Sequence, residues 1–475
     1  MKFTKFGKAL LVSALSAGLI LGVTSCVESY TVGFLYVTGT VTAQSGNNGI
    51  ISGFKIDHNT GFLTAIHGLP IASGGANPVR AGLVTGQTFM YILNRGVNAE
   101  GNGDCTTTDP CLKSNITQFA VGGNGILTPQ ETFYTQGVNP FRMIIDTSGN
   151  YVLVLDHDAP DSDAYTGVNA TANSCTEALG PATTSCADIT VFKIDTTTGR
   201  LSLVTNAQVS SASRTPLTYF PVPANPVDFL LNPGYILTLS ATPTPSAAAP
   251  CTSLSTLASA WPYVCGTQVF PYTYTSSTGQ LTLNQNSAQP LSIAQGTAIV
   301  SAGGVIYIPD NEPVTVPSGS TFTAGVYPSQ ILPFTVGTNG ALQAETGGAI
   351  PDDSTLSNPI QLLLESKGKY LYVANQGNET QGANAESGIA GYFLTTAPNY
   401  ELTFIAGEPY GTGAGPQCIV EDPSDQFLYE ANYYDSSVSG RIVDPNSGAL
   451  NTMRKQSSFA LDGQATWCLT DGRTD

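Results

Sequence analysis

The sequence is short of charged residues, of histidine and of long apolar runs. Only 11% of its 475 residues are charged and only three are histidine. So few Lys, Glu and Arg disfavour long exposed helices and coiled coils, and short strands with many turns are expected instead. After residue 25 no stretch reaches the ~18 apolar residues of a transmembrane helix. Gly-x-Ser-x-Gly, His-Glu-x-x-His, Walker and strand-following Gly-x-Gly-x-x-Gly motifs are also missing, which excludes the common hydrolase, zinc-protease and nucleotide-binding signatures.

Basic residues are outnumbered by acidic ones. The sequence has 17 Lys and Arg against 34 Asp and Glu, so the formal net charge is −17. Such a surface repels phosphate backbones, and no basic stripe with interleaved aromatics offsets it, so nucleic acid is not an expected partner. The hydrophobic share of 41% supplies material for a large core.

The N-terminus has the pattern of a bacterial lipoprotein signal. Three lysines and no acidic residue precede an apolar run at residues 9–23. This run is too short to span a bilayer comfortably, and it leads into the sequence VTSC. We expect residues 1–25 to be a signal peptide, Cys26 to be lipidated and residues 26–32 to be a linker. The alternative is an ordinary signal peptide with a chance cysteine. In both cases we expect export to the cell envelope, and if Cys26 is lipidated we expect contact with the membrane through the lipid anchor only.

The remaining cysteines fit an exported, disulfide-bonded protein. Setting Cys26 aside leaves eight of nine, and six of these fall in close pairs within loop-like segments. Zinc is the competing interpretation, but without Cys-x-x-Cys spacing and with so few histidines no metal is expected. The simplest local pairing is Cys105 with Cys111, Cys175 with Cys186, and Cys251 with Cys265, leaving Cys418 and Cys468.

A sequence motif, which we call the Asn-Pro phrase, recurs along the chain. It opens with Asn-Pro and an apolar run, passes a tight polar turn into an aromatic-rich strand such as FLYV, YVLV or YLYV, and continues into a third strand. That strand ends in a Gly turn such as IDHNTG or IDTTTG, and a fourth strand begins with Leu. The phrases open at Asn77, Asn139, Asn225 and Asn358, with Gly415-Pro416 as a variant.

Four short strands per repeat predict the blade of a β-propeller. Counting gives seven blades in residues 33–475. The first unit has no inner strand before its second strand, and a suitable strand remains at residues 464–470. The C-terminal strand should therefore complete the first blade and remove the exposed sheet edge. Two unrelated β-domains, the rival interpretation, would not explain this complementarity.

The repeats are longer than compact propeller repeats, and the excess falls between the second and third strands. By strand alternation these insertions share one face of the propeller, which we call the loop face. Three of the four carry the local cysteine pairs, so function is expected on this face. The insertions are residues 94–114, 156–187, 241–266 and 310–328.

The phrases FLYVTG, YLYVANQG and QFLYEANYYDSSVSG, with the IDxxTGxL turns, resemble the lactonase-type seven-bladed β-propellers. That family includes the 6-phosphogluconolactonase/cycloisomerase type and the YVTN-repeat surface proteins, and the resemblance covers essentially the whole mature chain. It implies a propeller fold and a lactone hydrolase. Family members place histidine in inner-strand segments of the channel, with Arg and Glu nearby. In this chain the segments NPVRAGLV, NPFRMIID and NPVDFLLN contain none, and Arg142 stands where a histidine is expected.

Aligning the inner strands on Asn-Pro brings two arginines to one register in neighbouring blades. A guanidinium pair near the channel suggests an anion site for carboxylate or phosphate. The alternative is that each arginine pairs with an acid such as Asp228 between blades. The same register sets Cys418 beside Cys468 as a possible disulfide at the ring closure. Its members are Arg80, Arg142, Asp228, Ala298, Gln361, Cys418 and Cys468.

Among the histidines, His157 alone is placed to act as a general base, because it ends a second strand on the loop face. Flanking carboxylates should raise its pKa or bind a cation such as calcium, although the stretch lacks the Gly and Glu of a calcium loop. Acidic loops of this kind are usually solvated. His58 and His67 are expected in solvent.

Two functions follow. The first is a non-catalytic envelope module, a monomer without cofactor, that binds a small anionic ligand or an envelope protein through Arg80, Arg142, Asp228 and Gln361. The second is a lactone hydrolase in which Arg142 and Arg80 polarise the carbonyl and His157 activates water.

Overall fold

Seven antiparallel sheets, each with four main strands, account for nearly all regular structure in this computed structural model. The predicted lipoprotein signal, Cys26 and the cysteines at 105, 111, 251 and 265 lie outside the described residues. Among the described residues, no helix is long and apolar enough to cross a membrane. The structure describes residues 30–41, 48–84, 88–98, 114–163, 173–180, 183–210, 215–241, 266–282, 291, 293–345, 350–378, 385–395 and 401–472.

The sheets are the blades of a propeller, and in each blade the first strand named lines the channel while the last lies outermost. Blade 1 has β34 (Gln464–Asp471), β1 (Thr31–Thr40), β2 (Gly49–Asp57) and β3 (Leu63–Ala65). Blade 2 has β5 (Pro78–Leu83), β6 (Phe89–Asn94), β7 (Asn115–Val121) and β8 (Leu127–Phe133). Blade 3 has β9 (Val138–Ile145), β10 (Tyr151–Asp158), β11 (Cys186–Ile194) and β12 (Leu201–Leu203). Blade 4 has β14 (Pro226–Asn232), β15 (Tyr235–Ala241), β16 (Thr267–Thr275) and β17 (Gln280–Thr282).

The second half of the ring repeats this order. Blade 5 has β18 (Val300–Ala302), β19 (Val305–Asp310), β22 (Gln330–Val336) and β23 (Leu342–Ala344). Blade 6 has β25 (Pro359–Leu364), β26 (Tyr370–Asn375), β27 (Gly388–Leu394) and β28 (Leu402–Phe404). Blade 7 has β29 (Pro416–Glu421), β30 (Phe427–Asn432), β31 (Ser437–Val443) and β32 (Leu450–Thr452).

Short elements supplement the blades. A second outer segment pairs with the third strand in four of them: β4 (Ile71–Ala72), β13 (Phe220–Pro223), β24 (Ile350–Pro351) and β33 (Ser458–Ala460). The loop face adds helix α1 (Ser174–Leu179) and a hairpin of β20 (Val314–Val316) and β21 (Gly325–Tyr327), while residues 338–340 form a 3₁₀ turn.

The C-terminal strand closes the ring as predicted. β34 pairs antiparallel with β1, from Phe34 opposite Asp471 to Thr40 opposite Gln464. The chain thus enters blade 1 at its second strand and returns to supply the innermost one, so blade 1 joins both ends of the described propeller. Neither end of the sheet series is left as an unpaired edge.

The Asn-Pro phrase has a backbone cause. Asn77, Asn139, Asn225 and Asn358 all have positive φ, between 51° and 58°, directly before the proline at the start of the inner strand. Asn tolerates this left-handed conformation better than other side chains, and glycine tolerates it best. Gly415, the variant in blade 7, accordingly has φ 67°. In five of the seven blades the repeat therefore marks a turn at the start of the inner strand.

The apolar core lies between blades rather than within one. Seven clusters of buried side chains each combine residues from two neighbouring blades, and the seventh joins blade 7 to blade 1. An eighth, smaller cluster sits under the loop face of blade 3, around Cys175 and Cys186. Each sheet thus buries both faces, which explains the strands that read as continuous apolar runs.

A tyrosine in the second strand ties several blades to the next one. Its hydroxyl donates to the carbonyl of a positive-φ glycine in the turn between the neighbour's third and fourth strands. The pairs are Tyr36 to Gly125 (2.8 Å), Tyr91 to Gly199 (2.6 Å), Tyr372 to Gly448 (2.7 Å) and Tyr429 to Gly61 (2.7 Å). The recurring tyrosine of FLYV and YLYV is thus an inter-blade bond as well as a core side chain.

Tyr91→Phe tests this bond. The substitution keeps the ring but leaves the buried Gly199 carbonyl without its donor, so we expect the free energy of unfolding to fall by about 1.5 kcal/mol. The urea midpoint measured by tryptophan fluorescence would show it. Tyr134→Phe is the matched control, because the Tyr134 side chain is 63% exposed. Equal midpoints for the two variants would remove the inter-blade role.

One carboxyl group is buried in the core between blades 6 and 7. Glu430, opposite Ile419 and Ser439, is fully buried, and neither of its side-chain oxygens has a hydrogen-bond partner. Burial raises the pKa of Glu430 to about 8, and the positive charge of Arg441 offsets this only in part. The folded protein therefore carries Glu430 protonated at neutral pH.

This carboxyl should make the protein less stable in mild alkali. Because the folded pKa lies above the unfolded value of ~4.3, the proton's stabilising contribution is complete below the unfolded pKa and is lost as pH rises through the folded pKa. We expect the Tm to fall between about pH 5 and about pH 8, and to fall less in Glu430→Gln. Glu401→Gln, at an exposed position, is the control, and an unchanged pH slope in Glu430→Gln would contradict the assignment.

Candidate functional site

The channel-facing position that the Asn-Pro alignment singled out has a definite place in the fold. In five blades the inner strand has a bulge directly after the proline, and the next paired residue stands at this position. These residues are Arg80, Arg142, Asp228, Gln361 and Cys418. In blade 5, Ala298 is buried just before β18.

Blade 1 differs from the sequence alignment by one residue. Its bulge falls between Ala465 and Trp467, so Trp467, paired with Thr38, occupies the position equivalent to Arg80. Cys468 is one residue further along. The alignment missed this because β34 has no Asn-Pro from which to count.

Side chains at this register, or one residue before it in blade 5, link most neighbouring inner strands. Arg142 Nε donates to Asp228 Oδ1 at 3.0 Å between blades 3 and 4, and Asp228 Oδ2 accepts from the backbone N–H of Ile299 in blade 5 at 3.1 Å. The Thr297 hydroxyl donates to the Pro359 carbonyl between blades 5 and 6. Gln361 Oε1 accepts from the N–H of Ile419 at 3.0 Å between blades 6 and 7.

The other two junctions beside blade 1 are also linked. Cys418 and Cys468 form a disulfide between blades 7 and 1, with their Cα atoms 5.9 Å apart. This spacing lies in the usual range for a disulfide. Arg80 stacks on the ring of Trp467, with the guanidinium carbon 4.0 Å from the ring centroid, and so connects blades 1 and 2.

The junction between blades 2 and 3 is different. Its residues at this register are Arg80 and Arg142, two like charges that do not bond each other. Arg80 is bonded through Nη1 to its neighbour's carbonyl, Val79 O, at 2.7 Å, and Arg142 is bonded to Asp228. The predicted alternative, an arginine paired with Asp228, thus holds for Arg142, whereas Arg80 has no acidic partner within salt-bridge distance among the described residues.

The electrostatics of Arg80 reflect this arrangement. Burial and then the positive charge of Arg142 lower the pKa of the Arg80 guanidinium, and the carboxylate of Asp228 only partly compensates. Arginine keeps its proton in proteins. The fold therefore holds two cations close together at the channel with one carboxylate between blades to balance them, and an added anion would relieve the excess charge.

His157 belongs to the same corner of the molecule. It lies at the loop-face end of β10, partly buried, with its ring stacked on Phe141 at 4.2 Å between centroids. The Arg142 guanidinium carbon lies 5.1 Å from the same Phe141 ring. Contrary to the sequence expectation, the pKa of His157 is lowered, to about 3, by burial and by the positive charges of Arg95 and Arg142. Its imidazole is neutral at physiological pH.

Arg95 is the residue that sequence reasoning missed in this corner. It follows Asn94 at the end of β6, as His157 follows Asp156 near the end of β10, so the two hold equivalent positions in adjacent blades. Aligning the ends of second strands as well as the starts of inner strands would have found it. The loop-face side of the junction between blades 2 and 3 therefore collects Arg80, Arg95, Arg142 and His157.

The carboxylates on either side of His157 do not lie in a solvated loop. Asp156 is fully buried and Asp158 is 4% exposed. Asp158 Oδ2 accepts from Asn139 Nδ2 at 3.3 Å. Among the described residues, no group of three or more His, Cys, Asp or Glu side chains is arranged to hold a metal ion.

The remaining predicted residues lie apart from this corner. Cys175 and Cys186 form the predicted disulfide under the loop face, with a Cα spacing of 5.5 Å. His67 is exposed, whereas His58 is partly buried against Tyr30, with ring centroids 4.4 Å apart. Gln361 faces the channel in blade 6, across the ring from the arginines.

Comparison with known proteins places the fold. No protein-family model matches the sequence, and no curated protein matches it significantly. Solved structures do. The periplasmic gluconolactonase of Pseudomonas aeruginosa aligns with a TM-score of 0.58 at 16% identity, over 92% of this chain and 99% of that one. A candidate 6-phosphogluconolactonase from Bacteroides uniformis aligns with a TM-score of 0.57 at 14% identity, over 92% and 99%.

A second candidate 6-phosphogluconolactonase, from Bacteroides fragilis, aligns with a TM-score of 0.56 at 15% identity, over 92% of this chain and 98% of that one. At these identities the likeness concerns the fold. The chain thus has the seven-bladed propeller fold of the lactonase-type structures, as the sequence resemblance predicted.

Proposed function

We propose that the protein binds a small anionic ligand at the central channel, on the loop-face side of the junction between blades 2 and 3. The observation that carries the proposal is the juxtaposition of Arg80 and Arg142 at the junction where other blades place linking groups. Like charges brought together by a rigid scaffold oppose folding unless something offsets them. Such strained electrostatics concentrate at functional sites.

The residues favour a ligand with a carboxylate or phosphate group. A guanidinium presents a planar set of donors that matches either anion. Elsewhere the net charge of −17 repels anions, so the site would select its ligand by local charge against an unfavourable surface. Arg95 extends the positive field towards the loop face. Trp467, Phe141 and His157 surround the cations with ring surfaces, which suits a ligand that carries apolar or sugar-ring area beside its charge.

The setting that we propose is the cell envelope. The disulfide in blade 3 and the one between blades 7 and 1 suit an oxidising compartment. The similar gluconolactonase of P. aeruginosa is named as periplasmic. Lipidation at Cys26 would hold the propeller at the membrane surface and is part of the proposal. Mass spectrometry of the protein from the envelope fraction tests whether Cys26 carries a lipid. Cys26→Ala should release the protein from membranes.

A lactone hydrolase is the second candidate, and the gluconolactonase named among the similar structures favours it. Arg80 or Arg142 would polarise the lactone carbonyl, and His157 would accept a proton from water. Because the pKa of His157 is lowered to about 3, its imidazole is a weak base and is already fully deprotonated above about pH 4. Hydrolysis by this route would therefore show no histidine-controlled rise between about pH 5 and about pH 8.

One experiment distinguishes the two candidates. The soluble protein that starts after Cys26 is titrated calorimetrically with gluconate, 6-phosphogluconate, phosphate and glucose, and assayed by pH-stat for hydrolysis of the two corresponding lactones. Saturable binding of the anions but not of glucose supports the binding site. Turnover lost in His157→Gln would make the protein a hydrolase. Binding of none of the anions, with no turnover, would overturn both.

A further inference from the structure

The repeats of the propeller allow one blade to be compared with the next, atom by atom. In blade 2, two asparagines face each other across β6 and β7, and Asn94 Nδ2 donates to Asn115 Oδ1 at 2.9 Å. The Thr117 hydroxyl lies 3.3 Å from Asn94 Nδ2 and 3.2 Å from Asn115 Oδ1.

The same amides hold the segment that leads from blade 1 into blade 2. Asn94 Nδ2 donates to the Ser73 carbonyl at 3.2 Å, and Asn115 Nδ2 donates to the Gly74 carbonyl at 3.3 Å. Both amides thus serve as hydrogen-bond donors to the backbone of the connecting segment.

Blade 3 has the same arrangement with carboxyl groups in place of amides. Asp156 on β10 faces Asp188 on β11, as Asn94 faces Asn115, and Thr190 corresponds to Thr117. The Thr190 hydroxyl lies 3.3 Å from Asp156 Oδ2 and 3.2 Å from Asp188 Oδ2, matching the two distances in blade 2. The substitution has therefore kept the geometry and removed the donor hydrogens.

The connecting segments also correspond. A Cβ at Gly75 would lie 2.9 Å from Asn115 Nδ2, and a Cβ at Gly137 would lie 2.0 Å from Asp188 Oδ1. Asp188 Oδ1 thus occupies the position in blade 3 that Asn115 Nδ2 occupies in blade 2, where this nitrogen donates to the backbone of the connecting segment. Asp156 and Asp188 are both fully buried, and Oδ1 of each lacks a hydrogen bond of ordinary geometry. The Thr135 hydroxyl also approaches Asp156 and, like Thr190, favours its charged form.

The surroundings offer little positive charge to stabilise two carboxylates. The charged groups acting on the pair are themselves acids: Asp158 for both residues and Asp161 for Asp188. On the neighbouring elements, Arg95 acts on Asp158 and His157, His157 is neutral, and Arg142 is paired with Asp228. Burial raises the pKa of both Asp156 and Asp188, and their mutual repulsion raises that of Asp188 further.

We propose that Asp156 and Asp188 form a carboxylic acid pair that retains at least one proton at neutral pH and takes the place of the Asn94–Asn115 amide pair. The retained proton supplies the missing hydrogen bond between Asp156 Oδ2 and Asp188 Oδ2, since Thr190 has one hydrogen and can donate to only one of them. A second proton on Asp188 Oδ1 would restore the bond to the connecting segment. The pair thus stabilises the interface of blades 2 and 3 in a way that depends on pH, and we call this carboxylic acid pair the lock.

The lock weakens as pH rises. A pair whose folded state holds its proton more tightly than the unfolded state stabilises the protein fully at acid pH, and this contribution is lost as the proton leaves at higher pH. Full ionisation would leave two buried negative charges on directly opposed residues. Blade 2, with its amides, has no such dependence.

The test replaces the acids with the amides that blade 2 uses. The Tm of the whole soluble chain is followed from about pH 5 to about pH 9 for wild type, Asp188→Asn and the double variant Asp156→Asn/Asp188→Asn, with exposed Asp462→Asn as the charge-matched control. We expect the Tm of the double variant to fall less with rising pH than the Tm of wild type. The difference in Tm between the two should be largest at the highest pH. Infrared difference spectra at pH 7 should show a protonated carboxyl group in wild type that is missing in the double variant.

Parallel Tm curves for wild type and the double variant would overturn the proposal. So would calcium or sodium raising the Tm of wild type but not of the double variant, because the pair would then hold a cation instead of a proton. Should the double variant not fold, the reciprocal change decides: Asn94→Asp/Asn115→Asp is expected to introduce a new decrease of Tm with pH in blade 2. The absence of that decrease would also contradict the lock.

Discussion

Replacing Cys418 and Cys468 together by serine is expected to lower the free energy of unfolding by about 4 kcal/mol. The two cysteines are 50 residues apart in sequence and join blade 7 to the C-terminal strand of blade 1. In the unfolded chain the bond closes a loop of this length, and closing longer loops removes more entropy. In the folded chain it fixes the strand that closes the ring.

The disulfide between Cys175 and Cys186 provides a matched control. It spans only 11 residues and lies in the small cluster under the loop face. The same relation gives about 3 kcal/mol for its removal, and its loss should open blade 3 locally while the ring stays closed. Guanidinium midpoints and near-ultraviolet circular dichroism, with and without reductant, would separate the two. A Cys418/Cys468 double variant as stable as wild type would show that the closure depends on strand pairing alone.

The fold could be predicted from the sequence because its repeat has local physical causes. In four blades an Asn in the left-handed conformation precedes the proline of the inner strand, and in four blades a tyrosine reaches the glycine turn of the next blade, so the same residues recur at the same spacing. The missing inner strand of blade 1 then identified residues 464–470 as the closing strand, which the structure shows as Gln464–Asp471.

The site could be predicted only where that repeat gave a register. Arg80 and Arg142 were found because both follow Asn-Pro at the same distance. Trp467 was assigned one position away, because a bulge without Asn-Pro cannot be located from sequence. The lowered pKa of His157 was not foreseen either, since it depends on Arg95, which approaches from the neighbouring blade, and on burial behind Phe141.

The proposed anion site predicts opposite effects for two neighbouring charges. Arg80→Gln should weaken binding of the anion identified by calorimetry roughly 100-fold, because a charge-assisted contact of about 2–3 kcal/mol is lost. Asp228→Asn should instead strengthen it several-fold, since the amide oxygen still accepts from the Ile299 N–H while the charge that neutralises Arg142 is removed. Only an anion held near both arginines requires this reversal of sign.

Measurement at two ionic strengths separates an electrostatic role of Arg80 from a structural one. An electrostatic site loses affinity as salt rises, and Arg80→Gln should flatten that dependence as well as weaken binding. Arg200→Gln is the control, because the Arg200 side chain is 64% exposed and pairs with Glu131 on the outer part of the propeller. A purely structural role for Arg80, through its stacking on Trp467, would lower Tm without changing the salt dependence. Equal losses of affinity in Arg80→Gln and Asp228→Asn would move the binding site away from the junction of blades 2 and 3.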